Sequence, residues 1–188
     1  MTTYILHGGE TKIPNENQRD FFRSLMGKDK KPKILCAYFA SEKSSWKNKL
    51  KQDLGRLQNF ADKKAEPEAQ IASENIEELI EQIKWATCVY IRGGSDSTPR
   101  LVFEKIPDLK NLLNNKIIAG SSAGAHVIVK YYHSKSLNHV RDGLGLLPIK
   151  IYTHADIKVD TNLNELIKHK EHLPVVVLMD TEFVIIIY

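Results

Sequence analysis

Residues 116–125 read Lys-Ile-Ile-Ala-Gly-Ser-Ser-Ala-Gly-Ala. A short apolar strand leads directly into Gly-x-Ser-x-Gly, and a helical pattern follows. This arrangement predicts a nucleophile elbow, a sharp strand-to-helix turn that holds its central side chain above the edge of a sheet. Ser122 stands at the central position, so the pattern predicts a serine nucleophile and acyl-transfer chemistry such as hydrolysis. The alternative is a Gly- and Ser-rich turn without chemistry.

Strand-like and helix-like patterns alternate on both sides of this elbow. The strand patterns cover residues 4–7, 33–40, 69–72, 87–91, 149–153, 175–179 and 183–188. The clearest helix patterns cover residues 15–26, 44–60 and 73–84. This alternation predicts one α/β domain over residues 1–188, a three-layer α/β/α sandwich with a mostly parallel sheet. The last two strand patterns flank Asp180-Thr181-Glu182, which predicts a C-terminal antiparallel hairpin at one edge.

Composition narrows the function classes. The net charge is only +4, and the basic run at residues 28–33 has no interleaved aromatic residues, so we expect no nucleic-acid partner. No apolar stretch approaches the ~20 residues that span a bilayer, and the N-terminus lacks a signal-peptide pattern. Cys36 and Cys88 each lie in an apolar run, which favours buried free thiols without excluding a disulfide. We therefore expect a cytoplasmic protein with no membrane association.

A serine hydroxyl needs a base within hydrogen-bond reach, usually a histidine. Of seven histidines, His154 is the best candidate, because it ends a strand downstream of the elbow and would share the edge at which parallel strands end. His7 also ends a strand and is a weaker candidate, whereas His126 is interpreted as a packing or surface residue. No histidine pair has zinc-ligand spacing with a supporting Glu or Cys, so we expect no metal site.

Two backbone donors are needed to stabilise the oxyanion. The elbow supplies the N–H of Ala123, and the Gly93-Gly94 loop after the strand at 87–91 is the natural source of the second. The residue that would orient His154 is not evident. Asp142 precedes a glycine, Asp156 follows His154 too closely, and Asn138 could act through its amide oxygen.

Three segments give the chain a resemblance to peptidase family S51, which includes dipeptidase E and cyanophycinase and is similar in fold to class I glutamine amidotransferases. The segments are Ile91-Arg92-Gly93-Gly94-Ser95-Asp96, Ala119 to Ala125, and Gly143-Leu144-Gly145-Leu146-Leu147-Pro148 leading to His154. The resemblance implies Ser122 as nucleophile, His154 as base, and Gly93, Gly94 and Ala123 at the oxyanion hole. It also implies cofactor-free hydrolysis of a small peptide substrate. The oligomeric state stays open, with a homodimer as one option.

Two positions depart from the family pattern. Dipeptidase E has an aspartate about midway between its serine and histidine, whereas residues 130–139 contain no carboxylate here. The loop after the fourth strand reads Ser95-Asp96-Ser97 where the family often has Asn-Thr. The missing acid leaves a second hypothesis open, a weak or inactive member that binds a small peptide or amide ligand. A third hypothesis is an esterase that uses the same groups.

Overall fold

The computed structural model describes residues 1–62, 65–94, 98–156 and 161–188. The strands in these ranges are β1 Thr3–His7, β2 Lys33–Ala37, β3 Glu68–Ile71, β4 Cys88–Ile91, β5 Ile117–Ser121, β6 Val129–Ser134, β7 His139–Asp142, β8 Leu147–Tyr152, β9 Val175–Val177 and β10 Phe183–Ile187. The helices are α1 Glu16–Met26, α2 Trp46–Phe60, α3 Ile76–Trp85, α4 Thr98–Phe103, α5 Leu109–Leu112, α6 Ala123–Ile128 and α7 Thr161–Lys168.

Six strands form the large sheet, in the order β10-β1-β5-β4-β2-β3. The five strands from β1 to β3 in this order run parallel, and only β10 is antiparallel, at the edge beside β1. Helices α1 and α2 pack together on one face, and α3, α5 and α6 contact strands or one another on the other. The predicted α/β fold with three layers and a mostly parallel sheet is therefore confirmed.

A second sheet of four strands, in the order β7-β6-β8-β9, follows the elbow helix. Its side chains alternate between two environments. Tyr132 and Ile151 belong to the main core, whereas Tyr131 and Tyr152 pack with Leu166 of α7. The sequence of residues 132–141 is polar and typical of a surface loop, but these residues form most of the β6–β7 pair.

The predicted C-terminal hairpin is also wrong in its pairing. Strand β9 pairs in parallel with β8 of the small sheet, and β10 pairs antiparallel with β1 of the large sheet. The turn at Asp180-Thr181-Glu182 therefore carries the chain from one sheet to the other. An antiparallel strand does lie at the edge of the large sheet, but its partner is the first strand of the chain.

The described thiols fit the sequence expectation. Cys36 and Cys88 are buried free thiols on β2 and β4. Each helix in the described ranges is too short or too polar to cross a lipid bilayer.

A buried ion network lies beneath the carboxyl end of the large sheet. The Asp53 side chain on α2 is fully buried and accepts hydrogen bonds from Arg92 Nη1 at 2.9 Å, Arg56 Nη1 at 2.9 Å and the Tyr38 hydroxyl at 3.0 Å. The Arg92 side chain is itself only 5% exposed. A buried carboxylate therefore holds the arginine that directly precedes Gly93.

We expect Asp53→Ala to lower the free energy of unfolding by about 3–5 kcal/mol, because it leaves the Arg92 charge buried without its partner. The matched control is Asp62→Ala, since the Asp62 side chain is 89% exposed and lies 3.6 Å from Arg23. An exposed pair contributes about 0–1 kcal/mol. Urea unfolding of both variants checks this, and equal effects would contradict it.

Candidate active site

The elbow is built at the junction of β5 and α6. Ser122 has φ 51° and ψ −118°, a strained conformation for a residue with a side chain. Its N–H donates to the His7 carbonyl at 2.9 Å, which ties the turn to β1. The turn is so tight that a Cβ on Gly120 would lie 2.4 Å from the Gly124 backbone. The small residues on both sides of Ser122 are therefore required by close packing.

His154 lies beside Ser122. It follows the carboxyl end of β8, and its Nε2 is 2.7 Å from Ser122 Oγ. The ring is partly buried, with 32% of the side chain exposed, and Lys135 Nζ donates to the His154 carbonyl. The structure thus brings together the two residues that the sequence analysis selected, at hydrogen-bond distance.

The other nitrogen of His154 contacts a residue that the sequence analysis did not select. His154 Nδ1 lies 2.5 Å from Asp180 Oδ1. The sequence pattern around Asp180 predicted only a hairpin turn. The order hydroxyl, imidazole, carboxylate is the hydrogen-bonding order of a Ser–His–Asp triad, in which the acid orients the ring and stabilises its charged form.

The carboxylates considered from sequence lie elsewhere. Asp142 ends β7, and its Oδ1 is 3.1 Å from Lys170 Nζ. Asn138 lies in the turn between β6 and β7 with φ 53°. Glu182, close to Asp180 in the chain, accepts a hydrogen bond from the Met179 N–H at 2.9 Å. Among the described carboxylates, Asp180 is therefore the one hydrogen-bonded to the His154 ring.

The turn that carries Asp180 is fastened to the end of β1. Gly8 N–H donates to the Glu182 carbonyl at 2.8 Å, and Thr181 N–H donates to the Gly9 carbonyl at 3.0 Å. Gly9 has φ 149°, and a Cβ there would lie 2.1 Å from His154 Cε1 and 2.7 Å from Asp180 Oδ1. Only glycine leaves room at this position for the imidazole and the carboxylate to meet.

His7, the weaker candidate base, is buried away from the cleft. It is 0% exposed, its Nδ1 accepts a hydrogen bond from the Gly9 N–H at 3.1 Å, and its ring packs against Phe21 and Phe183. Burial lowers the pKa of His7 to about 4; the neighbouring Asp180 carboxylate opposes this shift, and His154 adds to it. His7 is therefore a neutral residue that holds the Gly8-Gly9 segment.

This buried histidine predicts a pH-dependent stability. Because the pKa of His7 is about 4 in the folded protein and about 6.5 in the unfolded chain, the unfolded chain binds more protons between these values. The free energy of unfolding therefore falls as pH decreases from 6.5 towards 4, by about 2–3 kcal/mol at pH 4.5. Urea unfolding at pH 7 and pH 4.5 should show this contribution in the wild type and not in His7→Phe. Equal pH dependence in both proteins would contradict it.

The predicted oxyanion donors differ in their surroundings. Gly93 N–H donates to Ser121 Oγ at 3.1 Å and is therefore occupied. Within the described residues, the N–H groups of Gly94 and Ala123 have no hydrogen-bond acceptor. Gly94 lines the same cleft as Ser122 and His154. The segment Ser95-Asp96-Ser97, noted above for its departure from the family pattern, lies outside the described residues.

The cleft at Ser122 is small and basic. Its volume is about 210 Å³. Its lining comprises Gly9, Glu10, Thr11, Lys12, Lys49, Arg92, Gly93, Gly94, Ser121, Ser122 and His154. Burial, followed by the charges of Arg92 and Lys12, lowers the pKa of Lys49. Whereas Arg92 is paired with Asp53, neither lysine forms an ion pair within the described part of the chain.

His126 is buried behind the elbow, with Nε2 2.8 Å from Thr153 Oγ1 and its ring stacked on Tyr132, in agreement with its interpretation as a packing residue. In the described ranges, no three His, Cys, Asp or Glu side chains come together as metal ligands.

Known proteins share both the sequence pattern and the fold. The sequence profile of peptidase family S51 matches residues 4–187, whereas no curated protein matches the chain. A peptidase from an acI-B1 Actinobacterium aligns with 98% of this chain and 82% of its own, at 17% identity and a TM-score of 0.72. A protein of Listeria monocytogenes EGD-e, provisionally named peptidase E, aligns with 99% of this chain and 94% of its own, at 13% identity and a TM-score of 0.65. At these identities the two structures demonstrate a shared fold.

Proposed function

This chain belongs to peptidase family S51, a family of serine-type peptidases, and we propose that it hydrolyses short acidic peptides by a Ser–His–Asp mechanism. One observation carries the proposal. Ser122 Oγ, the His154 ring and Asp180 Oδ1 form a continuous hydrogen-bonded series with separations of 2.7 Å and 2.5 Å. This series opens onto the basic cleft.

The mechanism follows from these contacts. Ser122 Oγ attacks the peptide carbonyl while His154 Nε2 takes its proton, and the Asp180 carboxylate stabilises the resulting imidazolium. The carbonyl oxygen becomes an oxyanion beside the N–H of Ala123. His154 then gives the proton to the leaving amine, which breaks the C–N bond and leaves an acyl group on Ser122. Water, deprotonated by His154, hydrolyses this ester and regenerates the serine.

The hypothesis of an inactive binding protein rested on the absence of an acid to orient His154. The contact between Asp180 and His154 supports the hydrolase over the binding protein, because the acid is supplied from beyond the histidine in the chain. The esterase hypothesis uses the same groups, so substrate comparison must separate it.

The size and charge of the cleft support a short acidic substrate. A volume of about 210 Å³ lies below the roughly 300–1,000 Å³ of drug-sized ligand sites, which favours one or two residues. Lys12 and Lys49 form no ion pair in the described structure, and together they outnumber Glu10, the acidic residue of the lining. A substrate carboxylate would satisfy these charges, whereas a lysine side chain would be repelled.

The test is a comparison of two dipeptides of nearly equal shape, Asp-Leu and Asn-Leu, with liquid chromatography of the released leucine. We expect Asp-Leu to have the higher kcat/KM, and Lys49→Met to raise KM for Asp-Leu about tenfold with little change for Asn-Leu, because an ion pair to a bound carboxylate is lost. Lys47→Met, an exposed site on the same helix, is the matched control.

Two outcomes would contradict the proposal. If neither dipeptide is cleaved while p-nitrophenyl acetate is turned over through Ser122, the esterase hypothesis replaces it. If Lys49→Met and Lys47→Met behave alike, the assignment of Lys49 to the substrate carboxylate is wrong.

A further inference from the structure

The residue before the nucleophile has a buried hydroxyl with two defined partners. Ser121 ends β5 and is only 3% exposed. Its Oγ accepts a hydrogen bond from the Gly93 N–H at 3.1 Å and lies 3.2 Å from the Tyr90 hydroxyl. A buried hydroxyl costs free energy unless it is hydrogen-bonded, so these contacts account for a serine at this position.

The contact joins the elbow to the neighbouring loop. Ser121 belongs to the strand that carries the nucleophile, and Gly93 belongs to the loop after β4. A Cβ on Gly93 would lie 3.0 Å from Ser122 Cβ, so the two segments are in close contact. On its other side, a Cβ on Gly94 would lie 2.1 Å from the Ala40 carbonyl oxygen. The loop is thus held between the elbow and the end of β2.

Occupation of the Gly93 N–H has a chemical consequence. An N–H that donates to Ser121 Oγ is not available to an oxyanion in the cleft. The next N–H in the loop, that of Gly94, has no acceptor among the described residues, and Gly94 lines the cleft with Ser122. Two free N–H groups, one from each segment, are what an oxyanion hole requires.

We propose that Ser121 is a positioning residue, whose hydroxyl binds the Gly93 N–H and thereby holds the Gly94 N–H, together with that of Ala123, towards the oxyanion. This inference rests on the proposed function, because it assigns a role in the same reaction. Ser121 does not touch the substrate carbonyl in this role. It acts through the orientation of one peptide group.

Tyr90 supports the Ser121 hydroxyl from the interior. Its ring is buried against Phe21 and Phe22, so its hydroxyl is fixed in direction. Burial raises the pKa of Tyr90, which keeps the phenol protonated and able to donate. Tyr90→Phe should therefore weaken the positioning of the Gly93 peptide group by Ser121, but it leaves Ser121 Oγ in place to accept the Gly93 N–H.

The experiment measures kcat and KM for Asp-Leu, and the rate of Ser122 labelling by a fluorophosphonate, in Ser121→Ala, Ser121→Thr and Tyr90→Phe. A directly acting oxyanion donor contributes about 10²–10³ in rate, so loss of its positioning should lower kcat and the labelling rate about 10–50-fold in Ser121→Ala. KM and the pH midpoint of kcat/KM should not change, because substrate binding and His154 are untouched. Ser121→Thr keeps the hydroxyl and should restore activity to within about threefold, and Tyr90→Phe should fall between these two variants.

The outcomes separate this inference from the proposed function. If wild-type Ser122 reacts and Ser121→Ala retains full kcat and labelling rate, Ser121 has no positioning role. If KM rises or the pH midpoint moves in Ser121→Ala, the residue acts on substrate binding or on His154, and the inference is also overturned. If wild-type Ser122 is neither labelled nor active with Asp-Leu, the proposed function fails first. Ser24→Ala, which removes a hydroxyl bonded to the Asp20 carbonyl far along α1, should match the wild type.

Discussion

Ser122→Ala is expected to lower kcat for Asp-Leu by about 10⁶, to the level that the oxyanion donors and binding alone can supply. The serine oxygen is the atom that forms the acyl bond, and no other described hydroxyl lies at hydrogen-bond distance from His154 Nε2. Alanine removes that oxygen and leaves the elbow backbone in place. The measurement is a single-turnover assay with Asp-Leu on folded protein.

The neighbouring serine is the control for this prediction. Ser121→Ala also removes one hydroxyl from the elbow, but the expected loss is only about 10–50-fold, because the nucleophile remains. Equal losses in the two variants would mean that the elbow tolerates neither change, and a Ser122→Ala protein with wild-type activity would exclude Ser122 as nucleophile.

Asp180→Asn is expected to lower kcat by about 10⁴ with little change in KM. The amide cannot stabilise a protonated imidazole, and its NH₂ group can hold His154 in the tautomer that places the remaining proton on Nε2. That tautomer cannot accept the proton of Ser122. Steady-state kinetics with Asp-Leu at pH 7 to 8 check the prediction.

Two control variants, each at another carboxylate, test whether Asp180 is the acid that orients His154. Glu182→Gln changes a carboxylate in the same turn, which binds the Met179 N–H, and should keep kcat within a few-fold. Asp142→Asn changes the carboxylate that lies between Ser122 and His154 in sequence but pairs with Lys170, and it should also remain active. A large loss of kcat in Asp142→Asn, together with an active Asp180→Asn, would show that the assignment of the acid to Asp180 is wrong.

Local sequence patterns were sufficient for most of the large sheet. The apolar runs and the helix patterns are set by interactions within a few residues, as when Asn15 caps α1 by accepting a hydrogen bond from the Gln18 N–H. The position of Ser122 follows from the same logic, because it comes directly after β5, a buried strand of the large sheet. His154 also follows a buried strand, but that strand is β8 of the small sheet, so the expectation that His154 shares a sheet edge with Ser122 is wrong, although the two side chains meet.

Asp180 could not be found in this way. Its role depends on the separation of β9 and β10 into different sheets, which brings the turn between them over His154. Locally, the apolar runs on either side of Asp180-Thr181-Glu182 resemble a hairpin, and strand pairing is decided by distant partners such as β1 and β8. The signal that the sequence offered for the acid was an aspartate that lies shortly after the strand pattern at 175–179, beyond His154 in the chain.

The contact of Gly93 with Ser121 could not be predicted from the sequence either. Sequence alone places a glycine pair after a strand, but which of two successive N–H groups faces the cleft depends on the peptide orientation. The residue that determines this orientation is Ser121, a buried serine next to the nucleophile.

Intact-mass spectrometry after treatment with a fluorophosphonate measures whether Ser122 is an activated nucleophile. We expect one adduct per chain in the wild type, no adduct in Ser122→Ala, and much slower adduct formation in Asp180→Asn. A folded wild-type protein that remains unlabelled, or a Ser122→Ala protein that is labelled at the wild-type rate, would show that Ser122 is not an activated nucleophile.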